Sequence, residues 1–232
     1  MFLHRPAGER GHANFGWLDS HHSFSFGQYH DPKHMGFRVL RVINEDRVAP
    51  GKGFGTHSHR DMEILTYVIS GGLQHKDSLG TGEVIHPGDV QRMTAGSGVS
   101  HSEFNASSTE GVHFLQIWVL PEAAGLTPSY AQKHYSDQEK TGTLRLLASR
   151  GGRDGSVHWN QKVDLYASKW AESQTLLHPL AAGRHAWIQV IHGALSVNDR
   201  PLAAGDGLAV SGEPELHLKG TPGAEILLFD LP

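Results

Sequence analysis

Gly55-Thr56-His57-Ser58-His59-Arg60-Asp61-Met62-Glu63 and, further along, Met93-Thr94-Ala95-Gly96-Ser97-Gly98-Val99-Ser100-His101-Ser102-Glu103 each place two metal-ligating residue types one position apart. In a β-strand, residues i and i+2 point to the same face. Two such strands side by side present His57, His59, His101 and Glu103 to one point, which is a metal site in outline. That reading needs a β fold.

The rest of the chain supplies one. Its 28 glycines follow no fixed period, so they read as turns between many short strands. Strand-like stretches rich in Val, Ile, Leu and aromatics run over Phe37–Val42, Met62–Ile69, Val112–Leu120, Thr143–Ala148, Leu165–Trp170, Ala186–Ile191 and Ile226–Leu231. Pro50-Gly51, Gly71-Gly72, Pro87-Gly88 and Gly205-Asp206-Gly207 punctuate them, which is sandwich or barrel spacing. One helix is predicted, from about Pro128 to Lys140, where polar residues follow a proline in mid-chain and link two halves.

The halves look related. Ile64–Leu73 reads like Ala186–Leu195, and Pro87-Gly88-Asp89-Val90 is echoed by Ala204-Gly205-Asp206-Gly207, which suggests an internal duplication. Aligning Ile69 with Ile191 sets His57 and His59 opposite Pro179 and Ala181, and Glu63 opposite His185. The second half therefore keeps the scaffold without the ligands. Two domains are expected, residues 1–125 with one metal site and residues 126–232 with none.

Composition narrows the function. At 232 residues, with 38% hydrophobic and 19% charged content, the chain is expected to fold around real cores. Zero cysteines exclude disulfides, thiolate metal sites and a cysteine nucleophile, so any metal is held by nitrogen and oxygen. No signal-peptide pattern and no run of membrane-spanning length is seen, so a cytoplasmic protein without membrane partners is expected. A formal charge of −4, with no long Lys/Arg cluster, argues against direct nucleic-acid binding, although 18 histidines soften that balance in acid.

The spacing from Gly51 through His57-x-His59 to Glu63 and Gly71, and then Gly88-Asp89, Gly98, His101 and Asn105, resembles the two cupin motifs. The glycine closing the first motif is one residue late, and Thr94–Gly98 replaces the shorter proline-glycine turn of the second. Met93–Glu103, Arg10–Ser20, Asp31-Pro32 with Met35-Gly36-Phe37, and Gly55–Glu63 resemble the signature of pirins, a cupin subfamily. The second half is similar to the degenerate C-terminal cupin of bacterial pirin-like quercetin 2,3-dioxygenases. The resemblance implies an all-β bicupin of two barrel or jelly-roll domains.

The same resemblance puts the metal ligands at His57, His59, His101 and Glu103. Strand parity alone leaves Glu63 as a rival carboxylate, and the pirin pattern makes it a neighbour or alternative ligand. His12, His21, His22, His30 and His34 are given no role, and Met35 and Phe37 are read as packing residues. The nitrogen and oxygen donors suit one divalent ion, Fe(II) first, with Zn, Cu, Mn, Co or Ni also compatible. The resemblance further implies a dioxygenase acting on a flavonol such as quercetin with O2. Glu103 is its catalytic residue, taking the proton of the 3-hydroxyl as the heterocyclic ring opens and carbon monoxide leaves. The alternative is a pirin-type redox-sensing metalloprotein that regulates a partner protein, and a purely structural metal would predict a closed site without a cavity. The chain is expected to act as a monomer.

Overall fold

In the computed structural model, which describes residues 1–232, strands and turns dominate, and the only α-helix is the four-residue Asp137–Lys140. No helix is long and apolar enough to cross a membrane. Two compact units divide the chain: Gly11–His134 with Val157–Gln161, and Met1–Arg10 with Tyr135–Ser156 and Lys162–Pro232. Where the sequence suggests a single cut near residue 125, the chain changes unit several times.

In the first unit one sheet has the strand order Ser129–His134, Asp89–Thr94, Glu63–Ser70, Val112–Val119, Leu40–Val48, Leu18–His22, Gly11–Asn14. The other runs Gly53–His59, Val99–Asn105, Leu73–Asp77, Gly82–Ile85. Glu63–Ser70 lies in mid-sheet between two partners, and its Ile64, Leu65, Tyr67 and Val68 are all buried.

The second unit repeats this plan. Phe2–Arg5, Gly207–Ser211, His185–His192, Glu225–Leu231, Asp164–Lys169 and Arg145–Ser149 follow one another in one sheet. Gln174–Pro179, Glu215–Gly220, Ala194–Val197 and Arg200–Ala203 form the other. Element by element the orders match, so the duplication seen in the sequence is a duplication of topology, and the fold is a bicupin. Even the outer strands correspond, since Phe2–Arg5 and Ser129–His134 cap matching edges.

The interiors differ. Leu216 and Leu218, on the second unit's counterpart of Val99–Asn105, point into a core with Ile188, Val190, Leu208 and Leu228. Aliphatic packing fills the volume that the first unit leaves to histidines.

Three sequence readings need correction. The helix expected over 128–140 is mostly strand: Ser129–His134 pairs residue for residue with Asp89–Thr94, and this ladder overrides a weak helical pattern. Only Asp137–Lys140 is helical, nucleated by a capping box between Ser136 and Glu139. The strand expected at Phe37–Val42 begins at Leu40 and runs to Val48, because Arg38 adopts a positive φ of 57° in a tight Phe37–Leu40 turn. The halves also slip at one loop. On the inward face His59 pairs with Val99 and His57 with His101, as His178 pairs with Leu216 and Leu176 with Leu218, so His178 and Leu176 rather than Ala181 and Pro179 correspond to His59 and His57.

Shortening a fully buried leucine leaves a cavity that costs about 2–5 kcal/mol. Leu218→Ala is therefore expected to lower stability by that amount in denaturant unfolding, whereas Leu177→Ala, at a side chain 54% exposed, is expected to change it little.

Candidate metal centre and cavity

Strands Gly53–His59 and Val99–Asn105 pair antiparallel with His57 opposite His101. Residues 99, 101, 103 and 105 alternate inward and are buried, which carries His101 and Glu103 to one face. Gly53 makes the close approach possible, because a Cβ there would collide with the carbonyl oxygen of Glu103. The turn into the second strand also requires glycine: Gly96 has φ +46°, and a Cβ would strike the backbone carbonyl of Leu126. This accounts for the Thr94–Gly98 departure from the shorter cupin turn.

The three histidines converge. Ring centroids lie 4.8 Å apart for His57–His59, 4.5 Å for His57–His101 and 4.9 Å for His59–His101. His59 Nε2 faces His101 Nε2 at 3.0 Å, and one ring nitrogen from each of the three lies within 4.8 Å of the others. Burial, reinforced by the neighbouring imidazoles, lowers the pKa of His59 to about 4 and of His101 to about 2. Near neutral pH both rings are uncharged, the state in which imidazole offers a lone pair to a cation.

Glu103 meets this group at His101, in a second triad completed by His75. Its side chain is buried and Oε1 has no hydrogen-bond partner. Burial first, and the charge of Asp46 second, push its pKa up to about 8, with Thr66 opposing. A buried carboxylate oxygen left unpaired beside converging imidazole nitrogens is the arrangement a divalent cation satisfies. With no sulfur among the donors, the set fits first-row divalent ions.

His75 went unnoticed in the sequence. Fully buried, it sets Nδ1 3.4 Å from His101 Nδ1 and Nε2 3.0 Å from Asp77 Oδ2. The signal was present: His75-Lys76-Asp77 is another pair of ligand types one residue apart, on the strand next to Val99–Asn105. The resulting Asp77–His75–His101 chain orients the His101 ring, as partners behind metal-binding histidines commonly do.

Glu63 lies outside the cluster. Its Oε2 accepts from Thr94 Oγ1 at 3.1 Å and its Oε1 from Asn160 Nδ2 at 3.0 Å. Parity holds only within one strand; here the chain turns at Asp61, with φ 51°, and enters the other sheet at Glu63.

A cavity of about 730 Å³ opens onto His57, His59 and Glu103. Phe15, Trp17, Phe26, Tyr29, Phe54 and Trp118 give it aromatic walls, and Trp118 meets His59 edge-on at 5.0 Å. The volume lies within the range of small-molecule sites. Of the early histidines left without a role, His12 and His22 line the cavity; Met35 and Phe37 do not.

Comparisons with known proteins place the fold in a family. The Pirin family model matches residues 4–119, and the model of the quercetinase C-terminal cupin domain matches residues 146–231. The quercetin 2,3-dioxygenase of Escherichia coli strain K12 is 46% identical over all of this chain and 99% of its own length. A crystal structure of the bacterial pirin YhhW from Escherichia coli in complex with nickel(II) superposes with a TM-score of 0.96, at 46% identity, over 100% of this chain and 99% of that one. A quercetin 2,3-dioxygenase structure from Acinetobacter baumannii, 24% identical, shares the fold at a TM-score of 0.77 over 95% of this chain and 83% of its own. The chain belongs to the pirin family of the cupin superfamily.

Proposed function

We propose that the protein is a metal-dependent dioxygenase of the quercetin 2,3-dioxygenase type. In this reading His57, His59, His101 and Glu103 hold one divalent ion, Fe(II) by preference. The substrate is a flavonol such as quercetin, whose heterocyclic ring is opened by O2 with release of carbon monoxide. The observation that carries it is the aromatic cavity of about 730 Å³ ending at the imidazoles and at Glu103. A redox-sensing regulator or a structural metal site needs no such cavity.

When bound, the ion supplies Lewis acidity toward a substrate oxygen and open positions for substrate and O2. The protein's own residues do the rest. His57, His59 and His101 are read as fixed ligands, with His101 oriented by His75 and Asp77. The aromatic walls stack a planar substrate and exclude water. Glu103 takes the proton of the 3-hydroxyl on its carboxylate.

Metal-reconstituted protein supplied with quercetin is expected to consume O2 and release carbon monoxide. His57→Ala and His101→Ala should abolish turnover together with metal content. Glu103→Gln should retain much of the metal while kcat falls about 10²–10⁴-fold, the usual worth of a positioned acid–base group. Retained turnover in the histidine variants would overturn the assignment. For His75→Ala, metal affinity measured by competition with a chelator is expected to fall about 10–100-fold.

The buried groups also set how metal-free protein responds to pH. Glu103 and Asp46, with pKa values raised to about 8 and about 7, keep protons that the unfolded chain releases near pH 4, so each lowers stability as pH rises toward those values. Lowered to about 4 and about 2, His59 and His101 act oppositely, and their contribution is complete by about pH 6.5. Between about pH 6.5 and 8 the carboxyl effect stands alone. Calorimetry of EDTA-treated protein should therefore show a falling midpoint across that interval, and Ni(II), which needs Glu103 ionised, should flatten it.

A further inference from the structure

A second set of polar groups faces the cavity, separate from the metal centre. Leu18–His22 and Leu40–Val48 pair with Ser20 opposite Asp46 and His22 opposite Asn44, and Val112–Val119 adds Gln116 opposite Asn44. Three adjacent strands thus carry a polar ladder on one face. All five residues line the cavity, and each is between 2% and 8% exposed.

Burying polar groups is unfavourable unless each end is bonded. Here the protein bonds only one end of several. Ser20 Oγ donates to Asp46 Oδ1, Asn44 Oδ1 pairs with His22 Nδ1 at 2.8 Å, and Gln116 Oε1 accepts from Thr66 Oγ1 at 3.2 Å. The second carboxylate oxygen of Asp46 and the amide NH2 groups of Asn44 and Gln116 have no protein partner. A buried carboxylate kept only for structure would gather several donors; Asp46 has one. Set among aromatic walls, an acceptor flanked by two amide donors suits a neutral ligand that both donates and accepts.

We infer that Asp46, oriented by Ser20 and flanked by Asn44 and Gln116, binds a second hydroxyl group of the substrate, so that the cavity selects polyhydroxylated planar aromatics over those bearing the metal-binding hydroxyl alone. The inference rests on the proposed dioxygenase reading and adds the feature of the substrate that this site recognises. The hydroxyl donates to Asp46 Oδ2 and its oxygen accepts from an amide. An analogue lacking the hydroxyl leaves those buried groups unpaired, which is the basis of strong discrimination by polar sites.

Binding tests this apart from turnover. Full-length Ni(II)-loaded protein, kept anaerobic, is titrated with quercetin and with 3-hydroxyflavone, following the fluorescence of Trp17 and Trp118, which line the cavity. At pH 8, above the pKa of about 7 to which burial raises Asp46, the unmodified protein is expected to bind quercetin about 10–100-fold more tightly, the worth of one or two hydrogen bonds to a charged group. Asp46→Ala should bring that ratio to within about threefold by weakening quercetin alone. Asp46→Asn, which keeps shape and one acceptor oxygen, should give an intermediate ratio and serves if the alanine variant fails to fold. Equal weakening of both ligands by either variant, or a ratio near one before substitution, would overturn the inference. If neither flavonol supports O2 uptake in air, the dioxygenase reading falls, while the affinity ratio still decides the role of Asp46.

Discussion

The antiparallel register of Gly53–His59 against Val99–Asn105 is the constraint on which the site depends. With His57 opposite His101, strand alternation brings His59 and Glu103 to the same interior. A slip of one residue would turn these side chains to the opposite face. Local chemistry holds the register: a glycine where the strands come too close for a side chain, and a left-handed glycine in the turn that feeds the second strand. Desolvation then keeps the His59 and His101 imidazoles uncharged and the Glu103 carboxyl group protonated until a cation arrives. The protein thus maintains an interior that a metal relieves.

The same fold appears twice with different contents. In one unit the strands enclose imidazoles, carboxyl groups and aromatic rings around a cavity; in the other the matching strands enclose leucine, valine and isoleucine. A barrel emptied for a ligand forgoes apolar burial, the main favourable contribution to folding, whereas a filled one gains it. The duplication separates the two demands, with one copy carrying the chemistry and the other a dense core.

Much of this was legible in the sequence because alternation and glycine punctuation are local signals. Spacing singled out His57, His59, His101 and Glu103 as candidate donors while leaving Glu63 as a rival, and repeated strand–turn–strand segments pointed to the duplication. What stayed hidden depended on which strands become neighbours. His75 carries the same spacing cue, but its relevance appears only when Leu73–Asp77 pairs with the strand bearing His101. Glu63 shares parity with His57 and His59, yet a positive-φ turn moves it to another sheet. Residues 129–134 look weakly helical until the edge of a sheet claims them. The polar ladder of Ser20, Asn44, Asp46 and Gln116 is scattered over three strands and has no linear motif.

The pairing of Phe2–Arg5 with Gly207–Ser211 bears on the order of folding. The Met1 amine donates to the carbonyl of Ser211, 210 positions away in the chain. Loop-closure entropy makes such a contact late to form, because Phe2–Arg5 must find a partner far along the chain. Until then the edge at Gly207–Ser211 lies open, so a folding chain is most exposed to mispairing in the interval before this pairing forms. Phe2–Arg5 therefore works as a latch, set in place only after the strand it closes against has joined the second unit's sheet.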